Sequence, residues 1–281
     1  FGASSLAERK FSLEKTGMLF YTLGSVFLPI TLIAAGYFEV FGEWFSLSGE
    51  GRPLLFAVTC GAMSVVTLKG GCDYKSKTFS WCGLVSLSLS VCCLILQFTG
   101  NTEMFALAAS IYSFAMLFIC SALSKNTSEK LAPVISQLNT FAALNTILLS
   151  VSSLASAFSE KNSTITFASC AIFAAGYLKS SFTQKNGFAG AVPFTVFAAC
   201  GMFAISSADD FGGYMTTLVF TSAIPAVLSF MNFFPEKLKS AATVVSSIFA
   251  AITAALCAIA SFAAEPSLIM LLAYILLGAE V

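Results

Sequence analysis

Charged residues divide this chain into ten uncharged runs, and every Asp, Glu, Lys and Arg lies in the short segments between them. The runs cover residues 17–38, 53–68, 78–98, 104–124, 131–159, 162–178, 186–208, 211–235, 240–264 and 266–279. Strands of a membrane barrel alternate apolar and polar residues over about ten positions. Here the apolar stretches run on unbroken for much longer, which predicts helices. A helix rising about 1.5 Å per residue needs about 20 residues to cross a bilayer core, and seven of the runs reach that length. Runs 53–68 and 162–178 are shorter, but Lys69 and Lys179 at their ends can reach the water by snorkelling. Run 266–279 is also short, and a chain running from Phe1 to Val281 reads as a piece of a longer protein.

The punctuation agrees with these boundaries. Pro53, Pro133 and Pro266 fall in first turns, where no helical hydrogen bond is lost, and Pro193 lies near a helix start. Pro235 closes the eighth run, whereas Pro29 and Pro225 lie within runs and predict kinks. Trp44 and Trp81 lie at the two membrane edges, where amphipathic rings settle. Gly70-Gly71, after the second run, reads as a helix cap and not as a phosphate loop.

Basic residues fix an orientation. Arg9, Lys10 and Lys15 precede the first run, and the alternate loops that follow hold Lys69, Lys75, Lys77, Lys125, Lys130, Lys179, Lys185, Lys237 and Lys239. Only Arg52 and Lys161 lie on the opposite side. Basic residues mark the cytoplasmic face, so both termini are expected there. The acids show no such bias.

The runs also pair into a repeat. Each pair has a basic lead-in, an outgoing helix, an outer turn and a returning helix, with a period of about 50 residues, a spacing that signals stacked supersecondary units. The lead-ins read EKTG, KSKT, SEKL, TQKN and EKLK. In residues 14–38, Lys15 is followed by Leu23-Gly24 and then by Leu28-Pro29. This stretch resembles a unit in large uncharacterised bacterial multi-pass membrane proteins of unknown function. The resemblance implies a polytopic bacterial protein and transfers no site residues.

Composition narrows the function. The chain is 57% hydrophobic and 10% charged, against about a quarter charged in a soluble domain. Its net charge is zero, so no basic face is expected to bind nucleic acid. Histidine is absent, which removes the usual general base and the commonest metal ligand. The nine cysteines form no C-x-x-C pair and mostly fall inside apolar runs. They read as small packing residues. Cys72 and Cys82 both lie on the expected reducing side, which argues against a disulfide between them. Asp209-Asp210 reads as a solvated turn before a cation site, and Asn162-Ser163-Thr164 fits a glycosylation acceptor in an outer loop.

Three runs carry stripes of small and polar residues. Run 131–159 has Asn139, Ala143, Thr146, Ser150, Ser153 and Ala157 on one helix face, with Asn145 nearby. Run 78–98 has Gly83, Ser86, Ser90, Cys93 and Gln97, and run 240–264 has Thr243, Ser247, Ala250, Ala254, Ala258 and Ser261. Such stripes either let helix backbones approach closely or line a polar path. The first reading is preferred. Gln97, Asn139 and Asn145 are the best path candidates, because an amide is costly to bury unpaired. No run contains Asp, Glu, Lys, Arg or His, which weakens proton-coupled transport and membrane hydrolysis.

The expected fold is all-α, a single polytopic transmembrane domain over 1–281, built as a bundle of five helical hairpins. The expected function is a non-enzymatic module of a bacterial envelope protein in the cell membrane, with no cofactor and no metal. Its expected partners are the lipid bilayer, other segments of a longer chain, or further copies in a homo-oligomer. The alternative is a ten-helix transporter of the drug/metabolite type for a neutral or amphipathic solute, by fold analogy alone. Five similar hairpins favour the module, whereas a first run matching the sixth favours the inverted halves of the transporter. The topology is testable by single-cysteine labelling on a cysteine-free background. Position 102 should react from outside and position 127 only from the cytoplasm. The reverse pattern contradicts the ten-span topology.

Overall fold

The computed structural model describes residues 1–11, 14–125, 128–159, 163–184, 186–205, 211–231 and 234–261. Ten α-helices and no strand occur among them. They are α1 (Gly2–Phe11), α2 (Glu14–Tyr37), α3 (Arg52–Asp73), α4 (Lys77–Phe98), α5 (Thr102–Leu123), α6 (Ala132–Ser159), α7 (Thr164–Gln184), α8 (Gly187–Ile205), α9 (Phe211–Phe230) and α10 (Glu236–Ser261). A single 3-10 turn, Glu129–Leu131, leads into α6.

Eight of these helices, α2 to α8 and α10, are long and apolar enough to cross a bilayer. Their outer faces carry large apolar side chains such as Leu148, 72% exposed, and Val65, 70% exposed. Water would penalise that surface and lipid does not. The chain is an integral, multi-pass membrane protein. Nine expected spans coincide with α2 to α10, α9 carrying the shorter apolar stretch Val219–Phe230. The tenth, 266–279, lies outside the described residues, as do Asn162, Asp209 and Asp210.

Two features differ from expectation. Helix α1 was hidden by its own charges, because an amphipathic helix that does not span breaks no apolar run. Gly70 and Gly71 do not cap α3 but lie inside it, and the cap is Tyr74. Both glycines are packing sites. A Cβ on Gly70 would lie 2.6 Å from the Tyr21 ring, and one on Gly71 would lie 2.5 Å from Ser80 Oγ. Because Lys69 snorkels, α3 continues through the charge that closes its apolar run.

The described residues form two compact units, Phe1–Gly100 with Ile119–Ala142, and Asn101–Phe118 with Ala143–Val281. In the first unit, α3 packs along α4 far more extensively than along α2. The connecting turn is Tyr74–Ser76, and Ser76 caps α4 by accepting from the Phe79 N–H. Glycines let the two helices approach: Gly71 faces Ser80, Gly83 faces Leu68, and Gly61 faces Ser90. Ser90 Oγ donates to the Ala57 carbonyl at 2.7 Å. Helix α2 joins through Tyr21, whose hydroxyl donates to the Val66 carbonyl at 2.7 Å. Trp81 of α4 donates from Nε1 to Gln137 Oε1 of α6 at 2.8 Å and sets its ring edge-on to Phe141.

Helix α1 docks against this unit by its inner face, on which Ser4 and Ala7 are buried. The Tyr74 hydroxyl donates to Glu8 Oε1. Ser4 Oγ lies 2.9 Å from the same hydroxyl and supplies its own proton to it. Phe1 and Tyr74 both meet the Tyr21 ring edge-on. In the second unit, α7 and α8 form the corresponding close hairpin, and α10 packs against both α8 and α9. Ala191 of α8 sits in a core with Leu228, Leu238, Ala241, Ala242 and Val245.

The α1 contact generates a pH prediction. Burial, and next the bond to Glu8, push the Tyr74 phenol above its ordinary value, which is about 10. A raised folded-state pKa adds stability that is complete below the unfolded value and is lost as pH rises through the folded one. The protection factors of the α1 amides, with exchange corrected for its intrinsic base catalysis, should therefore hold through neutral pH and fall only above about pH 10. Tyr74→Phe should remove that alkaline step. Protection factors equal at pH 7 and pH 11 contradict the contact.

Candidate functional site

The best-developed polar constellation among the described residues is a ladder of hydroxyls along α6. Its periodicity puts Thr146, Ser150, Ser153 and Ser156 on one face, and all four are buried. Each rung reaches a neighbouring helix. Ser113 Oγ of α5 donates to Thr146 Oγ1 at 2.8 Å. Ser150 gives its proton to the Ile147 carbonyl at 2.8 Å, so the Tyr177 hydroxyl, 2.9 Å away on α7, donates to Ser150. Ser169 gives its proton to the Thr166 carbonyl, so Ser153 donates to Ser169 at 3.3 Å, beside Cys170 Sγ at 3.8 Å. Ser156 and Thr166 close the ladder at 2.8 Å. From Thr146 to Ser156 the ladder rises roughly 15 Å, about half a hydrocarbon core.

The sequence reading identified Thr146, Ser150 and Ser153, which the fold brings together with Ala143 on the buried face. It omitted Ser156, one turn beyond Ser153, and the partners Ser113, Thr166, Ser169 and Tyr177. On α7 a signal was present, because Thr166, Ser169 and Tyr177 share a helix face. Ser113 had none, since its pairing is tertiary.

The amides separate. Asn145 is buried on α6. Asn139 is exposed and belongs to no buried stripe. Helix α6 has 28 residues and rises roughly 42 Å, more than the roughly 30 Å of a hydrocarbon core. Such a helix has room for an exposed amide near its start. Gln97 is half-buried near the end of α4, its Oε1 buried without a partner among the described residues.

The other stripes divide in the same way. Gly83, Ser86 and Ser90 are buried on α4, as packing requires. On α10 the stripe is buried only in part, at Ala250. Thr243 and Ser247 are exposed and bond back to the Lys239 and Thr243 carbonyls, while the buried face holds Ala242, Ser246, Ala250 and Thr253. A hydroxyl that bonds one turn back along its own helix needs no partner helix, so it can face lipid.

Three cavities lie in the second unit. One of about 390 Å³ and one of about 280 Å³ are lined by apolar side chains and glycine, including Phe114 and Ile172 in the first and Phe197 and Met202 in the second. The third, about 410 Å³, lies where Ser181 and Phe182 meet Gly187 and the Pro235–Leu238 segment. None of the three is lined by a ladder hydroxyl. The ladder contains no carboxylate, amine or imidazole, so it has no group that could activate a serine. Cys72 and Cys82 are free thiols. Searches against protein-family models, curated proteins and solved structures find no match to this chain.

The ladder predicts a steric limit. Ser153 is fully buried, so Ser153→Leu should overpack the α6–α7 contact and lower stability by about 1–3 kcal/mol. Thermal unfolding in detergent measures this. An unchanged melting temperature would place that face against lipid or an open cavity.

Proposed function

We propose that this chain is a non-enzymatic, membrane-embedded module of a bacterial envelope protein, with its basic turns on the cytoplasmic side of the cell membrane. The observation that carries this reading is the closed hydroxyl ladder. Polar groups that could have lined a solute path bond instead across helix contacts, in pairs of side-chain oxygens. The arrangement suits holding helices in register and leaves no polar surface facing a cavity there. The wholly apolar linings of two cavities point the same way. Nothing in the ladder favours the transporter reading, which needs convergent polar groups around an open site near the midplane.

The partners consistent with this role are the bilayer itself and other membrane segments, from a longer chain or from a second copy. The proposal excludes intrinsic catalysis and a resident metal. Elemental analysis of the purified protein after chelator washes tests the second point directly. Less than a tenth of an equivalent of zinc or iron is expected, to order of magnitude. A stoichiometric metal would mean that the fold gathers ligands scattered through the sequence.

A further inference from the structure

We infer that the chain contains two copies of one four-helix unit, α3 to α6 and α7 to α10, repeated in the same direction across the membrane. The inference goes beyond the proposed role and holds whether the bundle is a scaffold or a carrier. Sequence identity does not carry it. What carries it is a set of contacts recurring at matching positions.

The hairpins α3–α4 and α7–α8 share one register, offset by 110 residues, and α4 and α8 begin at Lys77 and Gly187. The residue before each is a side-chain cap. Ser76 Oγ accepts from the Phe79 N–H, and Asn186 Oδ1 accepts from the Ala189 N–H, both at 3.5 Å. The closest approach follows the same offset. In the first hairpin Gly71 faces Ser80, and in the second Ser181 faces Gly190. The same two positions hold one glycine and one serine, exchanged between the helices. About three turns further from the turn, Gly61 faces Ser90, and Cys170 faces Gly201, each one residue beyond its 110-residue equivalent. Again the glycine has changed helix.

Equal turns alone would give equal registers, so the fourth helix is the stronger evidence. In each copy it packs on the second helix as well as on the third. Trp81 of α4 meets Gln137 and Phe141 of α6. The residue 110 positions later, Ala191 of α8, sits in a core with Ala241 and Val245 of α10. Both pairs of partners are four residues apart, and they occupy the same places counted from Ala132 and Glu236, where the two helices begin. Trp81 meets two large side chains, and Ala191 lies with two smaller ones.

Four helices separate equivalent points, and an even number of crossings returns the chain to the same side. The repeat is therefore direct. The inverted halves of a drug/metabolite transporter require an odd number of crossings per half.

Reciprocal exchange tests the inference. Gly190→Ser alone should lower the detergent melting temperature by roughly 3–10 °C. Adding Ser181→Gly, which reproduces the arrangement of the first hairpin, should recover at least about half of that loss. Gly71→Ser with Ser80→Gly is the mirror cycle and should show recovery of the same sign. In parallel, Lys75→Cys and Lys185→Cys, each on a cysteine-free background in sealed vesicles, should be labelled from the same face. Recovery in both cycles with same-face labelling supports the duplication. Double variants as unstable as the singles, or labelling from opposite faces, overturn it. Neither readout depends on metal content or transport, so failure here is distinct from failure of the proposed role.

Discussion

In a bilayer every polar group must find its partner inside the protein. The surrounding hydrocarbon offers no hydrogen bond, and each unsatisfied group costs several kcal/mol. Helices satisfy the backbone, which leaves the hydroxyls. This chain deals with them in two ways. Serines and threonines on exposed faces, such as Thr243 and Ser247, bond one turn back along their own helix. So do many on buried faces, such as Thr59 and Thr195, while a smaller set there, such as Thr146 and Ser156, bonds across to another helix. The second group fixes which faces meet, and glycines at the closest points let the backbones come near enough for it to form.

Lipid does not reward apolar contact between helices as water does, so association depends on packing fit and on these bonds. That is why the tight hairpins are built from Gly, Ser and Ala, whereas larger apolar residues such as Leu148 and Val65 face outward. The distribution differs from that of a soluble core, in which the largest apolar side chains lie inside, although some, such as Phe173 and Leu55, are buried here too. It also explains why the ladder reads as structure. A hydroxyl whose proton is already held by a neighbouring oxygen is a poor ligand for a passing solute.

Much of this was legible in the sequence, because charge is excluded from the membrane so strictly that the spans could be cut at Lys, Arg, Asp and Glu. The stripe on α6 was legible through its helical period. Three things were not. Helix α1 carries charges and spans nothing, so no apolar run announces it. The stripe on α10 buries Ala250 but leaves Thr243 and Ser247 exposed, since periodicity cannot tell a self-bonded hydroxyl from one that needs a partner. The repeat was visible at about 50 residues, the spacing of a helix pair. Its structural period is twice that, because the relation between the second and fourth helices of a unit is tertiary. In the duplication inferred above, the second span corresponds to the sixth.

The central claim is that the polar face of α6 is closed by its neighbours and does not open onto water. Its most direct test is the reactivity of a single cysteine placed at Ser153, in an otherwise cysteine-free protein in liposomes, towards a small hydrophilic thiol reagent. The account predicts modification orders of magnitude slower than at a cysteine at position 102, the exposed start of α5, and unchanged by reversing the side of addition. Rapid modification from either side would show a water-filled path along the ladder, and would contradict it.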